Sequence, residues 1–205
     1  MSSKEIFNKI YENHVWGKGS GAGSGGNVAN VYIKAVQEFL SDKNFKIIVD
    51  LGCGDFNIGK NLVSYCQSYI ACDISSVILE RNLKKYNYPN LSFRQLNFCE
   101  DDIPQGEVGM VREVLQHLSN DDIYNFTQKL NEEKPFKFLI FTDFLPKESF
   151  TPNIDKPTDQ FTRWRFLESG VNLEEPPFYL SFKSKQNLCS VNHKSGVLNS
   201  IIYEL

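Results

Sequence analysis

The 205-residue sequence predicts an α/β fold: a doubly wound, mostly parallel sheet of seven strands, finished by an antiparallel hairpin at its C-terminal edge. Three observations predict it. Apolar runs of strand length alternate with stretches of helical periodicity from residue 46 to residue 142, and strands separated by helices build parallel sheets covered on both faces. The first run, Lys46-Ile-Ile-Val-Asp-Leu51, is apolar toward both faces, as strands inside a parallel sheet are. It runs into Gly52-Cys-Gly54, a tight turn at the carboxyl end of a strand, where such sheets open a crevice for nucleotide-like ligands. The arrangement expected is therefore Rossmann-like.

Taken in order, Ile6, Phe7, Ile10 and Tyr11 have the spacing of one helix face within residues 1–16. Residues 16–27 read WGKGSGAGSGGN, too rich in glycine for regular structure. A flexible linker is one reading. Trp16 at its edge and the short chain ahead of it favour a loop that covers a ligand. A second helix is expected over 28–40, with Tyr32, Val36, Phe39 and Leu40 on its buried face. After a turn at 41–45 and the strand at 46–51 come a short helix at 58–65, a strand at 68–73, a helix at 76–85 and a strand at 91–96. The fourth strand, 108–111, is weakened by Gly106 and Gly109. A helix at 120–132 takes its cap from Ser119 or Asn120, ahead of Asp121 and Asp122, and a fifth strand covers 137–142. Pro146, Pro152, Pro157, Pro176 and Pro177 then break the rhythm over 145–177. Two final strands, 178–182 and 197–203, would form the hairpin. No repeat is present. Residues 1–205 read as one domain, in which 1–45 supply helices and a Gly/Ser lid and 145–177 an insertion for binding a substrate.

Composition narrows the function. Hydrophobic residues make up 41% and charged residues 23%, as in globular chains. The net charge of −3 lacks the basic surface that phosphate neutralisation needs, which argues against a nucleic-acid partner. No apolar run approaches the ~18–20 residues of a membrane span, and the first residues lack the features of a signal peptide. Cys53, Cys66, Cys72, Cys99 and Cys189 are scattered, with no Cys-x-x-Cys pair, so neither a metal site nor a disulfide framework is expected. A cytoplasmic protein without a bound metal is the expectation.

The segment Val49-Asp-Leu-Gly-Cys-Gly-Asp-Phe-Asn-Ile-Gly59 carries the most chemical information. The dinucleotide fingerprint spaces its glycines G-x-G-x-x-G. Here they stand at 52, 54 and 59, and an acid, Asp50, precedes them. A carboxylate at this turn repels pyrophosphate and suits a cationic ligand, such as the ammonium and sulfonium of S-adenosylmethionine (SAM). Asp73 ends the second strand, where an acid can accept both ribose hydroxyls. Asp73 could also simply cap the helix that follows.

Asp50-Leu-Gly-Cys-Gly54 with Asp73 resembles the class I SAM-dependent methyltransferases. A longer resemblance runs through Tyr11 to Trp16, Ser20-Gly-Ala-Gly-Ser24, Cys53-Gly-Asp-Phe-Asn57, Arg112-Glu-Val-Leu-Gln-His-Leu-Ser119, Thr142-Asp143, Asn153-Ile-Asp155, Arg163 and Asn172-Leu to Pro176-Pro-Phe178. In that order these segments are similar to a bacterial methyltransferase family encoded among surface or capsular polysaccharide genes. The resemblance implies that Asp50, Gly52 and Gly54 line the methionine part of SAM, with Cys53 and Asp55 beside them. It implies that Asp73 holds the ribose, that Ile74 lies against adenine, that the Asn97 amide pairs with the adenine edge with Phe98 beside it, and that Arg112 faces the crevice. Trp16, Ser20, Gly21 and Ser24 would close the lid over the cofactor.

Methyl transfer from a sulfonium needs an acceptor held in line and, for a hydroxyl, a base to take its proton. His117, just after the fourth strand, is a candidate base; the alternative is a histidine that packs against its loop. Asp143, at the end of the fifth strand, can be read as a base, a substrate ligand or a turn residue. His14, Asn153, Asp155 and Arg163 are candidates for acceptor binding, Arg163 because an arginine pairs with an anionic acceptor. The expected partner is a small-molecule acceptor, a sugar, sugar nucleotide or phosphoryl or phosphoramidate intermediate. A nucleic-acid methyltransferase and a non-catalytic SAM-binding protein are the competing readings.

Overall fold

The computed structural model describes residues 1–159, 169–193 and 196–205. Two helices lead in, α1 (Ser3–Glu12) and α2 (Gly26–Ser41). The core of the fold follows as β1 (Ile47–Leu51), β2 (Ser68–Asp73), α3 (Ser76–Lys85), β3 (Leu91–Gln95), β4 (Val108–Arg112), α4 (Asn120–Glu133) and β5 (Phe138–Pro146). The chain closes with β6 (Ser184–His193) and β7 (Gly196–Glu204). All seven strands form one sheet, ordered β3-β2-β1-β4-β5-β7-β6. β1 to β5 run parallel, and β7 lies antiparallel between β5 and β6. The Rossmann-like α/β architecture is the one the sequence predicts. The order of the strands reverses direction between β1 and β4, and a crevice opens outside the carboxyl ends of strands at such a point.

Side chains satisfy free N–H groups at the starts of α1 and α4. Ser2 caps α1 in a reciprocal capping box with Glu5. Ser119 caps α4 by accepting from the Asp122 N–H. The two faces of the sheet bury separate cores, because side chains alternate along each strand. Val49 and Leu51 pack with α1 and α4 through Phe7, Ile10, Phe126 and Leu130. Ile48 points the other way, toward α2 and the residues Tyr32, Val36, Phe39 and Phe56. Glu107 fastens the start of β1, its carboxylate accepting from the Lys46 and Ile47 N–H groups at 2.7 and 2.8 Å. Among the described residues no helix is long and apolar enough to cross a membrane.

Three local expectations change. The hairpin pairs 184–193 with 196–204 rather than 178–182 with 197–203. Tyr179 takes a left-handed backbone (φ 50°) that no strand accommodates. Phe178 and Leu180, whose alternation suggests a strand, are buried as separate core plugs. β6 itself is mostly exposed, so this edge strand lacks the apolar alternation that would mark it. Second, residues 58–65 form two successive 3₁₀ turns, 59–61 and 63–65, in place of one helix. The Asn61 amide donates to the carbonyls of Asn57 and Ile58, a side-chain competitor for the bonds a helix would make. Third, β4 is a full interior strand despite its glycine. A Cβ on Gly109 would lie 2.3 Å from the Phe136 ring, so the missing side chain is the hole that the ring fills.

Candidate active site

At the carboxyl ends of β1, β2 and β4, roofed by α1 and the Gly/Ser loop, lies a cavity of about 240 Å³. Its floor is the turn after β1. Gly52 (φ 78°) and Gly54 (φ 54°) both adopt left-handed backbone, which glycine enters without strain. A Cβ at Gly52 would stand 2.4 Å from Val114, and one at Gly54 2.2 Å from the Ser20 hydroxyl. The Gly52 and Cys53 N–H groups both donate to the Cys72 carbonyl at 2.9 Å, which ties the turn to β2.

Two buried carboxyl groups face this floor. Asp50 accepts from the Tyr69 hydroxyl at 2.9 Å. Burial away from water pushes its carboxyl up to about 7, and the nearby Asp73 adds to the rise against the pull of the Tyr69 hydrogen bond and Arg112. Burial raises Asp73 to about 6 even though backbone N–H groups favour its charged form. Asp73 spends one oxygen on the Ser75 N–H and the other on the Gly54 N–H, both at 2.9 Å. It thus links Ser75, the residue ahead of α3, to the glycine turn and lines the cavity, while α3 itself begins without a side-chain cap. Each carboxylate oxygen has a second lone pair, so hydroxyl donors remain able to bind.

The Gly/Ser loop is docked over the floor. The Ser20 hydroxyl accepts from the Asp55 N–H at 2.7 Å, and the Ser20 N–H donates to the Asp55 carboxylate at 3.1 Å. The Asn57 amide donates to the Ser24 carbonyl at 2.6 Å, and the Arg112 guanidinium to the Gly23 carbonyl at 2.7 Å. Arg112 also pairs with Glu113 at 2.8 Å and lies over the Tyr32 ring. The loop is therefore a wall of the site built by the molecule, with Gly21 and a short 3₁₀ turn at 22–24 facing inward. On the opposite side Ile74, Asn97 and Phe98 line the cavity. The Asn97 side-chain oxygen accepts from the Cys99 N–H at 3.2 Å.

His117 and Trp16 close the far end, their rings 4.8 Å apart, with Phe7 edge-on to the imidazole at 6.2 Å. The His117 backbone carbonyl is anchored by the Asp159 N–H and the Lys156 ammonium at 3.0 and 3.1 Å. Its ring lines the cavity, and its buried Nδ1 has no hydrogen-bond partner among the described residues. The Gln116 side-chain oxygen is in the same position. Burial and the Lys156 charge lower His117 to about 4, so the imidazole is neutral at physiological pH.

The structure thus brings Trp16, Ser20, Gly21, Ser24, Asp50, Gly52, Cys53, Gly54, Asp55, Asp73, Ile74, Asn97, Phe98, Arg112 and His117 to one cavity. It does not bring Asp143, His14, Asn153 or Asp155 there. Asp143 is buried in β5, and its carboxylate accepts from the Val171 N–H at 3.0 Å. His14 is exposed in a left-handed turn beyond α1. The Asn153 amide donates to the Asn172 and Pro176 carbonyls and accepts from the Asn172 N–H, all at 2.8 Å. Asp155 accepts from the Asn120 N–H at 2.7 Å, at the start of α4. The side chains of Asp143, Asn153 and Asp155 hold backbone and His14 is exposed away from the cavity, which corrects the expectation that these residues line the site. Arg163, with Trp164 and Arg165, lies outside the described residues. Sequence reasoning missed Tyr69, Gln116 and Asn82, whose buried amide donates to the Gly54 carbonyl at 2.7 Å. Asn82 had a signal: it shares the apolar face of α3 with Ile78 and Leu79. Among the described residues no group of three or more His, Cys, Asp and Glu side chains is placed to hold a metal ion.

No protein-family model matches the chain, and no curated protein is similar to it in sequence. Solved structures are similar in fold. Human N-acetylserotonin methyltransferase in complex with SAM superposes with a TM-score of 0.60 at 13% identity, covering 100% of this chain. The chain spans 60% of that enzyme's length. DhpI in complex with S-adenosylhomocysteine (SAH) gives 0.61 at 13% identity, with 98% of this chain and 94% of DhpI covered. The methyltransferase domain of the bacterial protein CtHen1 gives 0.63 at 18% identity, with 86% and 100% covered. At these identities the likeness is one of fold.

Proposed function

We propose that this protein is a SAM-dependent methyltransferase that methylates a small-molecule acceptor, at an oxygen of a sugar, sugar nucleotide or phosphoryl or phosphoramidate intermediate of surface polysaccharide synthesis. The observation that carries the reading is the pairing of two buried acids, Asp50 and Asp73, across a glycine turn inside one cavity. Burial makes both carboxyls reluctant to ionise, and a cation with donor hydroxyls is the ligand that relieves this. The left-handed, closely approached glycines leave room for that ligand against backbone. When bound, SAM supplies an electrophilic methyl group on a good leaving group.

The chain's own residues do the rest. Asp50 neutralises the ligand's positive end, and Asp73 accepts ribose hydroxyls with its remaining lone pairs. Ile74 and Phe98 enclose the adenine, with the Asn97 amide at its edge. Arg112 holds the Gly/Ser loop down at Gly23 and so keeps water out of the site. His117, neutral and facing the cavity, takes the proton of a hydroxyl acceptor. Among residues 145–177, assigned to acceptor selection, Arg163 carries the charge that complements a phosphoryl acceptor. Cysteines that are all free fit a reducing cytoplasm.

SAM and SAH are expected to stabilise the protein, by roughly 2.7 kcal/mol at ~100 times the dissociation constant, and NAD is not. Thermal melts with each ligand test this; equal stabilisation by NAD would overturn the cofactor assignment.

A further inference from the structure

The segment 153–159 straps across the turn that carries His117 and the start of α4. The Asn153 carbonyl accepts from the Asn120 amide at 2.8 Å, and the Asp155 carboxylate from the Asn120 N–H at 2.7 Å. The Thr158 hydroxyl accepts from the Ser119 N–H at 2.8 Å and also contacts the Asp122 carboxylate. These bonds hold Ser119 and Asn120. One side chain of the strap reaches further, to His117 itself. Lys156 has a side chain only 3% exposed. Its ammonium donates to the His117 carbonyl at 3.1 Å, to the Pro157 carbonyl, and to the Asp159 carboxylate at 3.0 Å. Asp159 in turn sends its N–H to the same His117 carbonyl at 3.0 Å.

A lysine has three donors, and each is used here. Burying an ammonium is costly before any gain from its partners. A methionine could fill the same volume without that cost. The chain instead keeps a fixed positive charge on the backbone of the one residue whose imidazole closes the cavity with an unsatisfied nitrogen.

We propose that Lys156 is a positioning residue: it clamps the His117 carbonyl so that the imidazole stands against Trp16 and lines the cavity, and its charge adds to burial in keeping that imidazole neutral and able to accept a proton. This rests on the reading of His117 as the base. Among the described residues the acidic side chains nearest this turn each have a partner. Asp159 is paired with Lys156, Glu113 with Arg112, and Asp122 with Thr158. α1 and the loop present Phe7 and Trp16, which are uncharged. Removing the ammonium takes away the positive charge that disfavours imidazolium and keeps the Asp159 carboxylate that favours it.

The sequence contains three histidines, so NMR titration of imidazole signals in the full-length protein can follow each, with His117→Asn identifying its signal. In wild type the His117 signal should titrate at about 4. In Lys156→Met it should move up by roughly one unit or more, and its ring-current shift from Trp16 should change. Lys156→Arg, which keeps the charge, should stay within a few tenths of wild type. Affinity for SAH should change less than about two-fold in both variants, since Lys156 lies outside the cavity. If Lys156→Met does not fold, Lys156→Gln is read in its place. An unmoved His117 titration in a folded neutral variant would overturn the proposal, as would an equal shift in Lys156→Arg. The histidine signals report without cofactor, so a wild-type protein that fails to bind SAH would strike the methyltransferase reading and leave this one to its own result.

Discussion

Asp50 has a hydrogen-bond donor in Tyr69 and lies under the influence of Arg112, yet burial dominates and holds its carboxyl near 7. In the ligand-free protein a raised pKa means that its contribution to stability is complete below the unfolded value of 3.8 and is lost as pH rises through about 7. Asp73 behaves likewise through about 6. A cationic ligand needs Asp50 ionised, so binding below pH 7 must release a proton. Calorimetry should therefore find SAH binding more than about ten-fold weaker at pH 5.5 than at pH 8. Asp50→Asn should bind weakly and lose most of that pH dependence; a variant with the same slope as wild type would show that another group is responsible. His117 has the opposite sign. Its lowered pKa contributes stability that is present above 6.5 and is lost as pH falls through about 4. At saturating SAM and acceptor, turnover should therefore hold well below pH 6 before its acid limb begins. His117→Asn should reduce turnover by ~10²–10⁴-fold with little change in SAH affinity. Near-normal turnover in that variant would return His117 to a packing role.

At the scale of elements, the Gly/Ser segment separates two readings of the same composition. A tether would be solvated. Here the segment meets Asp55, Asn57 and Arg112 through its backbone and Ser20. Its glycines are used by packing: a Cβ on Gly19 would stand 2.1 Å from the Asp55 carboxylate, and one on Gly23 2.0 Å from Glu113. The segment is expected to resist limited proteolysis within 17–26, more so with SAH bound. Arg112→Ala, which frees Gly23, should speed cutting there. Cleavage indifferent both to SAH and to Arg112 would identify a tether. The strap at 153–159 is the second such element. Its Asn153 and Asp155 look like substrate ligands in the sequence and act as backbone clamps in the fold.

Over the whole molecule, the chain is closed by β7, which inserts between β5 and β6 and pairs with both along its length. Tyr203 and Leu205 are buried at its end. A sheet that loses an interior strand exposes two rows of backbone groups and both adjoining cores. Truncation after His193 should therefore abolish cooperative unfolding in circular dichroism and SAH binding together. A truncated chain that melts cooperatively and binds SAH would show the hairpin to be an addition to an independent five-stranded core.

The sequence by itself determined the alternation of strands and helices, the parallel sheet and the place of the crevice. These follow from local periodicity and from glycines whose backbone no other residue adopts easily. It also named half of the residues that line the cavity, because they cluster at the ends of strands and in one loop. Only the tertiary structure decided what Asp143, Asn153 and Asp155 touch, since their partners at 171, 172, 176 and 120 are brought near by folding. It alone revealed the Tyr69–Asp50 hydrogen bond and the Lys156 clamp on His117. The edge strand β6 was illegible for a related reason. Strand character in a sequence comes from burying one face, and β6 pairs through its backbone while most of its side chains stay in water.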